Sequence, residues 1–75
     1  MNTYKNLGGD SGIIGYDYSS DSVTVFFSTG AVYLYNIYST GRANINHMIR
    51  LAVAGHGLNS FISRVVRKGY ARRLR

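Results

Sequence analysis

Cysteine, proline, tryptophan and glutamate are all missing from the 75 residues of this chain. Without cysteine there is neither a disulfide framework nor a thiolate zinc site, which fits a reducing, cytoplasmic setting. Long apolar runs are missing too. The longest are short segments such as Leu51 to Ala54, so no stretch can span a bilayer and no membrane partner is expected. The opening residues, Met1-Asn2-Thr3-Tyr4-Lys5-Asn6, lack the basic region and apolar core of a secretory signal, so the chain reads as soluble and unprocessed.

Acidic residues are scarce and badly distributed. The three aspartates, Asp10, Asp17 and Asp21, share residues 1–38 with Lys5 alone, a net charge of −2, whereas residues 39–75 carry eight Lys or Arg and no acid, a net of +8. Such a dipole raises the encounter rate with polyanions and weakens with salt. It speaks about partners and not about fold. Length points to one small domain, in which burial is marginal and homo-oligomerisation would help.

Residues 1–10 show no periodicity and read as a flexible leader. Ile13 to Tyr18 reads as a strand closed by the turn formers Ser19-Ser20-Asp21. The next, Ser22 to Ser28, alternates cleanly: Val23, Val25 and Phe27 on one face, Thr24 and Phe26 on the other. After Thr29-Gly30, Ala31 to Ile37 is a third strand, with Val32, Leu34 and Asn36 opposed to Tyr33, Tyr35 and Ile37. Ile45, Met48, Ile49 and Ala52 then recur at helical spacing, with Ser39 or Thr40 available as a cap. Gly55-His56-Gly57 breaks that helix, and Leu58, Phe61, Ile62 and Val65 mark a second one ending near Gly69. The expected architecture is α+β: a three-stranded antiparallel meander followed by two helices on one face. The domain spans 11–70, and 71–75 form a basic tail.

Several landmarks occur in an order that resembles the KTSC domain, found at the C-terminus of some lysyl-tRNA synthetases and as stand-alone bacterial and phage proteins. They are Ile14-Gly15-Tyr16-Asp17 with Ser20, Val23-x-Val25-x-Phe27, Gly30, Tyr33-Leu34-Tyr35, and Ala52-Val53-Ala54-Gly55-His56-Gly57-Leu58-Asn59 leading to Ile62 and Tyr70. Tyr-x-Tyr is the family's signature. The chain departs from the pattern in having no proline after that strand and Leu58, not an aromatic residue, before Asn59. The resemblance implies a small sheet-plus-helices domain with no established activity, for which RNA binding is suggested by its company with a tRNA synthetase.

Two constellations carry the functional expectation. Tyr33 and Tyr35 lie on one face of a strand; if that face is open they can stack bases, and if the helices cover it they border the core. Arg64, Arg67, Lys68, Arg72, Arg73 and Arg75 put six cations into twelve residues. The first three, at i, i+3 and i+4, form a ridge if the helix continues through them, and arginine suits bidentate phosphate contact. Tyr33, Tyr35, Arg64, Arg67, Lys68, Arg72 and Arg73 are therefore the candidate nucleic-acid contacts.

A second expectation gathers Arg42, Gly55, His56, Gly57 and Asn59 into an anion or nucleotide site, since a glycine turn leading into a helix presents free N–H groups. The same glycines serve equally as a cap and hinge. This version of the protein would be an oligomer sequestering a nucleotide or cyclic nucleotide, and a third version docks the basic tail on an acidic protein. Catalysis is not expected. Gly9-Asp10-Ser11-Gly12 looks like a serine-protease nucleophile segment, but the chain is far too short for that scaffold. His47 and His56 are isolated from every carboxylate, so neither a metal nor another cofactor is implied.

Overall fold

The computed structural model describes residues 1–9 and 12–75. Expectations resting on Asp10 and Ser11, including the reading of the Gly9-to-Gly12 segment, lie outside the described residues. Among those residues the architecture is α+β, with five strands in one antiparallel sheet ordered as in sequence. They are β1 (Asn2–Thr3), β2 (Ile13–Tyr18), β3 (Ser22–Phe27), β4 (Val32–Asn36) and β5 (Arg72–Arg73). Between β4 and β5 come α1 (Ile37–Thr40), α2 (Arg42–Ala54) and α3 (Leu58–Phe61), the last running on into a π-helical turn, Ile62–Val66.

Alternation along β3 and β4 decides which face is covered. Val23 pairs with Tyr35 and Val25 with Tyr33, and paired residues share a face. Val23 and Val25 are fully buried, as are Ile45 and Met48 on α2, so α2 lies over this face. The stripe Ile45, Met48, Ala52 is thus the helix's contribution to a core that also holds Ile13, Tyr16, Leu58, Ile62 and Val66. Burying each large aliphatic side chain stabilises by roughly 1.5–3 kcal/mol.

Both chain ends depart from expectation. The leader is not free: β1 pairs with β2, and Tyr4 is buried at 4% exposure with its hydroxyl oxygen accepting from the Leu58 N–H at 3.2 Å. A side chain that joins the core from position 4 ties down everything before it. The basic tail is not free either, because β5 adds to the edge of β4, with Ala71 N–H donating to Leu34 C=O and Leu74 N–H to Val32 C=O, each at 2.7 Å.

The helices also begin and end differently. Asn36, the last residue of β4, caps α1: its side chain accepts from the Tyr38 and Ser39 N–H groups, while the Ser39 hydroxyl receives the Asn36 N–H. Ser39 is therefore used one turn before α2, whose N-cap is Gly41. The second helix stops at Val66, not near Gly69. Arg67 turns its backbone to φ 51° and its N–H donates to Ile62 C=O, five residues back, which closes the π turn and ends the helix.

Candidate nucleic-acid interface

The tyrosine expectation is corrected by the sheet's orientation. Tyr33 and Tyr35 lie on the helix-covered face; Tyr35 is 1% exposed. Burial, reinforced by neighbouring Tyr33 and Tyr70, pushes the Tyr35 hydroxyl up to about 12. Tyr33 is half-buried and its ring is occupied. Tyr70 lies 4.7 Å away by ring centroid, Phe27 meets it edge-on at 5.7 Å, and the Arg73 guanidinium sits 5.6 Å over it. The pair form a wall of the core, with Tyr70 as the cover that brings the chain from the last helix to β5.

The structure divides the cations of the arginine expectation into separate groups. Arg64, Arg67, Lys68, Arg72, Arg73 and Arg75 are all exposed. They do not make one helical ridge, because the helix ends before Arg67. Arg64 projects from the π turn, Arg67 and Lys68 from the loop that follows, and the rest from the β5 segment. Alternation divides Arg72 from Arg73: Arg73 pairs with Tyr33 on the covered side, and Arg72 pairs with Leu34 on the other. Among the described residues Arg42 is the only arginine or lysine paired with an acidic side chain, meeting Asp21 at 2.8 Å. Arg64, Arg67, Lys68, Arg73 and Arg75 thus follow one another from the π turn to β5 with no acidic side chain paired to them among the described residues, although the Arg73 Nε–H donates to the Arg75 main-chain oxygen at 2.6 Å.

A tyrosine that the alternation argument passed over stands beside them. Tyr38, on α1, is 91% exposed. Its helix is tied to the basic loop by the Thr40 hydroxyl, which donates to Gly69 C=O at 2.7 Å, immediately after Lys68. The signal was available in Asn36-x-x-Ser39, a capping-box pattern that ends the strand and swings the next tyrosine outward.

The nucleotide constellation is not assembled within one chain. Arg42 opens α2 and Gly55 closes it, and thirteen residues at about 1.5 Å each put them roughly 20 Å apart. Gly55 and Gly57 hold φ near +84° and +82°, where only glycine sits without strain, so the turn around His56 is built on them. His56, Gly57 and Asn59 do share a cavity of about 190 Å³ with Tyr4, Asn6, Gly8 and Ser60. That volume is below the roughly 300 Å³ at which small-molecule pockets begin.

His47 is also accounted for locally, its Nδ1 lying 3.2 Å from Arg50 and its ring packed on Phe61. No group of three or more His, Cys, Asp or Glu able to hold a metal occurs among the described residues, and no helix there is long and apolar enough to cross a membrane. Comparison with protein-family models, curated proteins and solved structures found no match.

Proposed function

We propose that this protein is a non-enzymatic module that binds RNA, single-stranded or structured, along the margin formed by the π turn, the loop after it and β5. Arg64, Arg67, Lys68, Arg73 and Arg75 take the phosphates and Tyr38 supplies an exposed ring for a base. The observation that carries this reading is the row of five exposed cations without an acidic side chain as partner among the described residues. Charge that served only solubility would be interspersed with acid. The KTSC-like landmarks point the same way, since that family's company is with a tRNA synthetase.

Each phosphate contact to a single strand contributes about −0.7 to the slope of log K against log salt. Five contacts predict a slope near −3.5, so affinity for a fluorescent single-stranded RNA should fall roughly 100-fold between 50 and 200 mM salt. Fluorescence anisotropy reads it directly. A change of less than about threefold, or no binding at the lower salt, overturns the reading. Binding to an acidic protein with none to RNA would place the same margin in the service of a protein partner.

The cavity at Asn6, His56 and Asn59 is the one observation that favours a second reading, the capture of a small anion or nucleotide. Calorimetry against inorganic phosphate and a nucleotide panel distinguishes the two: a fixed stoichiometry per chain supports the cavity, whereas binding that scales with RNA length supports the margin.

A further inference from the structure

The face of the sheet opposite the helices mixes apolar and charged residues, with Phe26 and Leu34 partly exposed and Val32 buried at 5% exposure. The register lays it out in two rows across the strands. One runs Asp17, Thr24, Leu34, Arg72 and the other Gly15, Phe26, Val32, Leu74, each residue following its partner from β2 to the β5 segment. Phe26, Val32 and Leu34 have no part in the core cluster. Met1, 68% exposed, lies over Gly15, where any side chain would collide with its Sδ, and Leu74 at the other margin is 46% exposed. Asp17, which also meets the terminal amine at 3.4 Å, and Arg72 therefore stand at opposite ends of one row with Thr24 and Leu34 between them.

We propose that this face packs against the same face of a second copy of the chain, about a twofold axis running along the strands between β3 and β4. That operation lays β2 of one copy over β5 of the other and β3 over β4. Asp17 then meets Arg72 of the second copy, twice by symmetry, Phe26 meets Val32, and Leu74 meets Met1 above Gly15. An axis across the strands would instead exchange the two rows and bring neither Asp17 nor Arg72 to an opposite charge. The charge pattern thus selects one of the two face-to-face arrangements, as an isologous interface requires. Strand directions stay aligned, which is how sheets stack in sandwiches.

The four strands from β2 to β5, spaced by about 4.8 Å, give a patch roughly 20 Å wide. Two such patches would bury on the order of 800–1,000 Å² in total, near the lower limit for a specific interface. The dimer is accordingly a reversible one, with dissociation in the micromolar range. Arg72 belongs to it, and this gives a role to its place on the face opposite Arg73.

The test is sedimentation velocity on the full chain without nucleic acid, from about 1 µM to 1 mM, with wild type expected to pass from 8.3 kDa monomer to dimer. Asp17→Arg should weaken association at least tenfold, because it sets arginine against arginine. The double variant D17R/R72D restores the opposite pairing and should recover most of the loss. Leu34→Glu, in the centre of the patch, should give monomer throughout the range. Circular dichroism checks that each variant is folded; should one fail, Arg72→Gln at the exposed end of the row provides the weakened dimer instead. Wild type that remains monomeric at 1 mM, or a charge swap that restores nothing, overturns the proposal. Loss of RNA binding in a variant that still dimerises bears on the proposed function alone.

Discussion

The two edges of the sheet are built alike and charged differently. Each is a two-residue strand at an end of the chain, β1 at Asn2–Thr3 and β5 at Arg72–Arg73, and each is anchored by a tyrosine beside it, Tyr4 or Tyr70. The β1 edge has uncharged strand residues, and among the described residues its ion pair joins the terminal amine to Asp17 at 3.4 Å. The β5 edge holds arginines with no acidic side chain paired to them among the described residues. Exposed edges attract other strands, and arginine at β5 discourages that pairing. Yet Arg64, Arg67 and Lys68 continue the charge beyond the strand, more than an edge guard needs. The difference teaches that one terminus serves the core while the other both closes the sheet and presents charge.

Removing the anchor at β1 should have the largest effect. Tyr4→Ala deletes a buried ring and leaves a cavity, so it should cost about 3–5 kcal/mol in urea denaturation. Tyr4→Phe keeps the ring and removes only the acceptor for Leu58 N–H, at about 1–2 kcal/mol. An effect of Tyr4→Ala below 1 kcal/mol would mean that β1 hangs free after all.

On the opposite side, alkaline titration probes the wall behind β5. Tyr35 ionises at about 12 in the folded chain and near 10 when unfolded. Its contribution is complete below pH 10 and is lost as the pH rises towards 12, because the unfolded state releases the proton first. Stability should fall by about 2–3 kcal/mol across that window, and Tyr35→Phe should abolish that part of the fall.

Smaller effects sharpen the functional half of the comparison. Tyr38→Ala should leave stability within about 0.5 kcal/mol and reduce RNA affinity by about 1–3 kcal/mol through lost stacking. Arg73→Gln should lower the salt slope by about 0.7 and weaken binding to all sequences alike. If it costs as much stability as Tyr4→Ala, the contact of Arg73 with Tyr33 is structural and β5 is not an interface.

The same comparison explains what was legible in the sequence. Strands β2 to β4 and helix α2 bury one face each, so their periods of two and 3.6 were visible in Val23-x-Val25 and Ile45-x-x-Met48. Edge strands β1 and β5 were hidden, since their pairing is made by backbone atoms and their side chains are exposed. Of the candidate site, the cation cluster could be counted directly. Its division could not, because it depends on a helix that ends at Val66 through a backbone reversal at Arg67, a residue with no common tendency to positive φ. The tyrosine face was a choice between two sides of one strand. Alternation defines both sides and names neither as inner until the helix is placed.

The most direct test of the account is an NMR titration of the labelled chain with a short single-stranded RNA, following backbone amides and tyrosine rings at low salt. Amides of Arg67 to Arg75 and the ring of Tyr38 should shift together and saturate, while Asn2 and Thr3 on the other edge stay unmoved. Shifts confined to Asn2–Tyr4 and the His56–Asn59 cavity, or none at any RNA concentration, would contradict it.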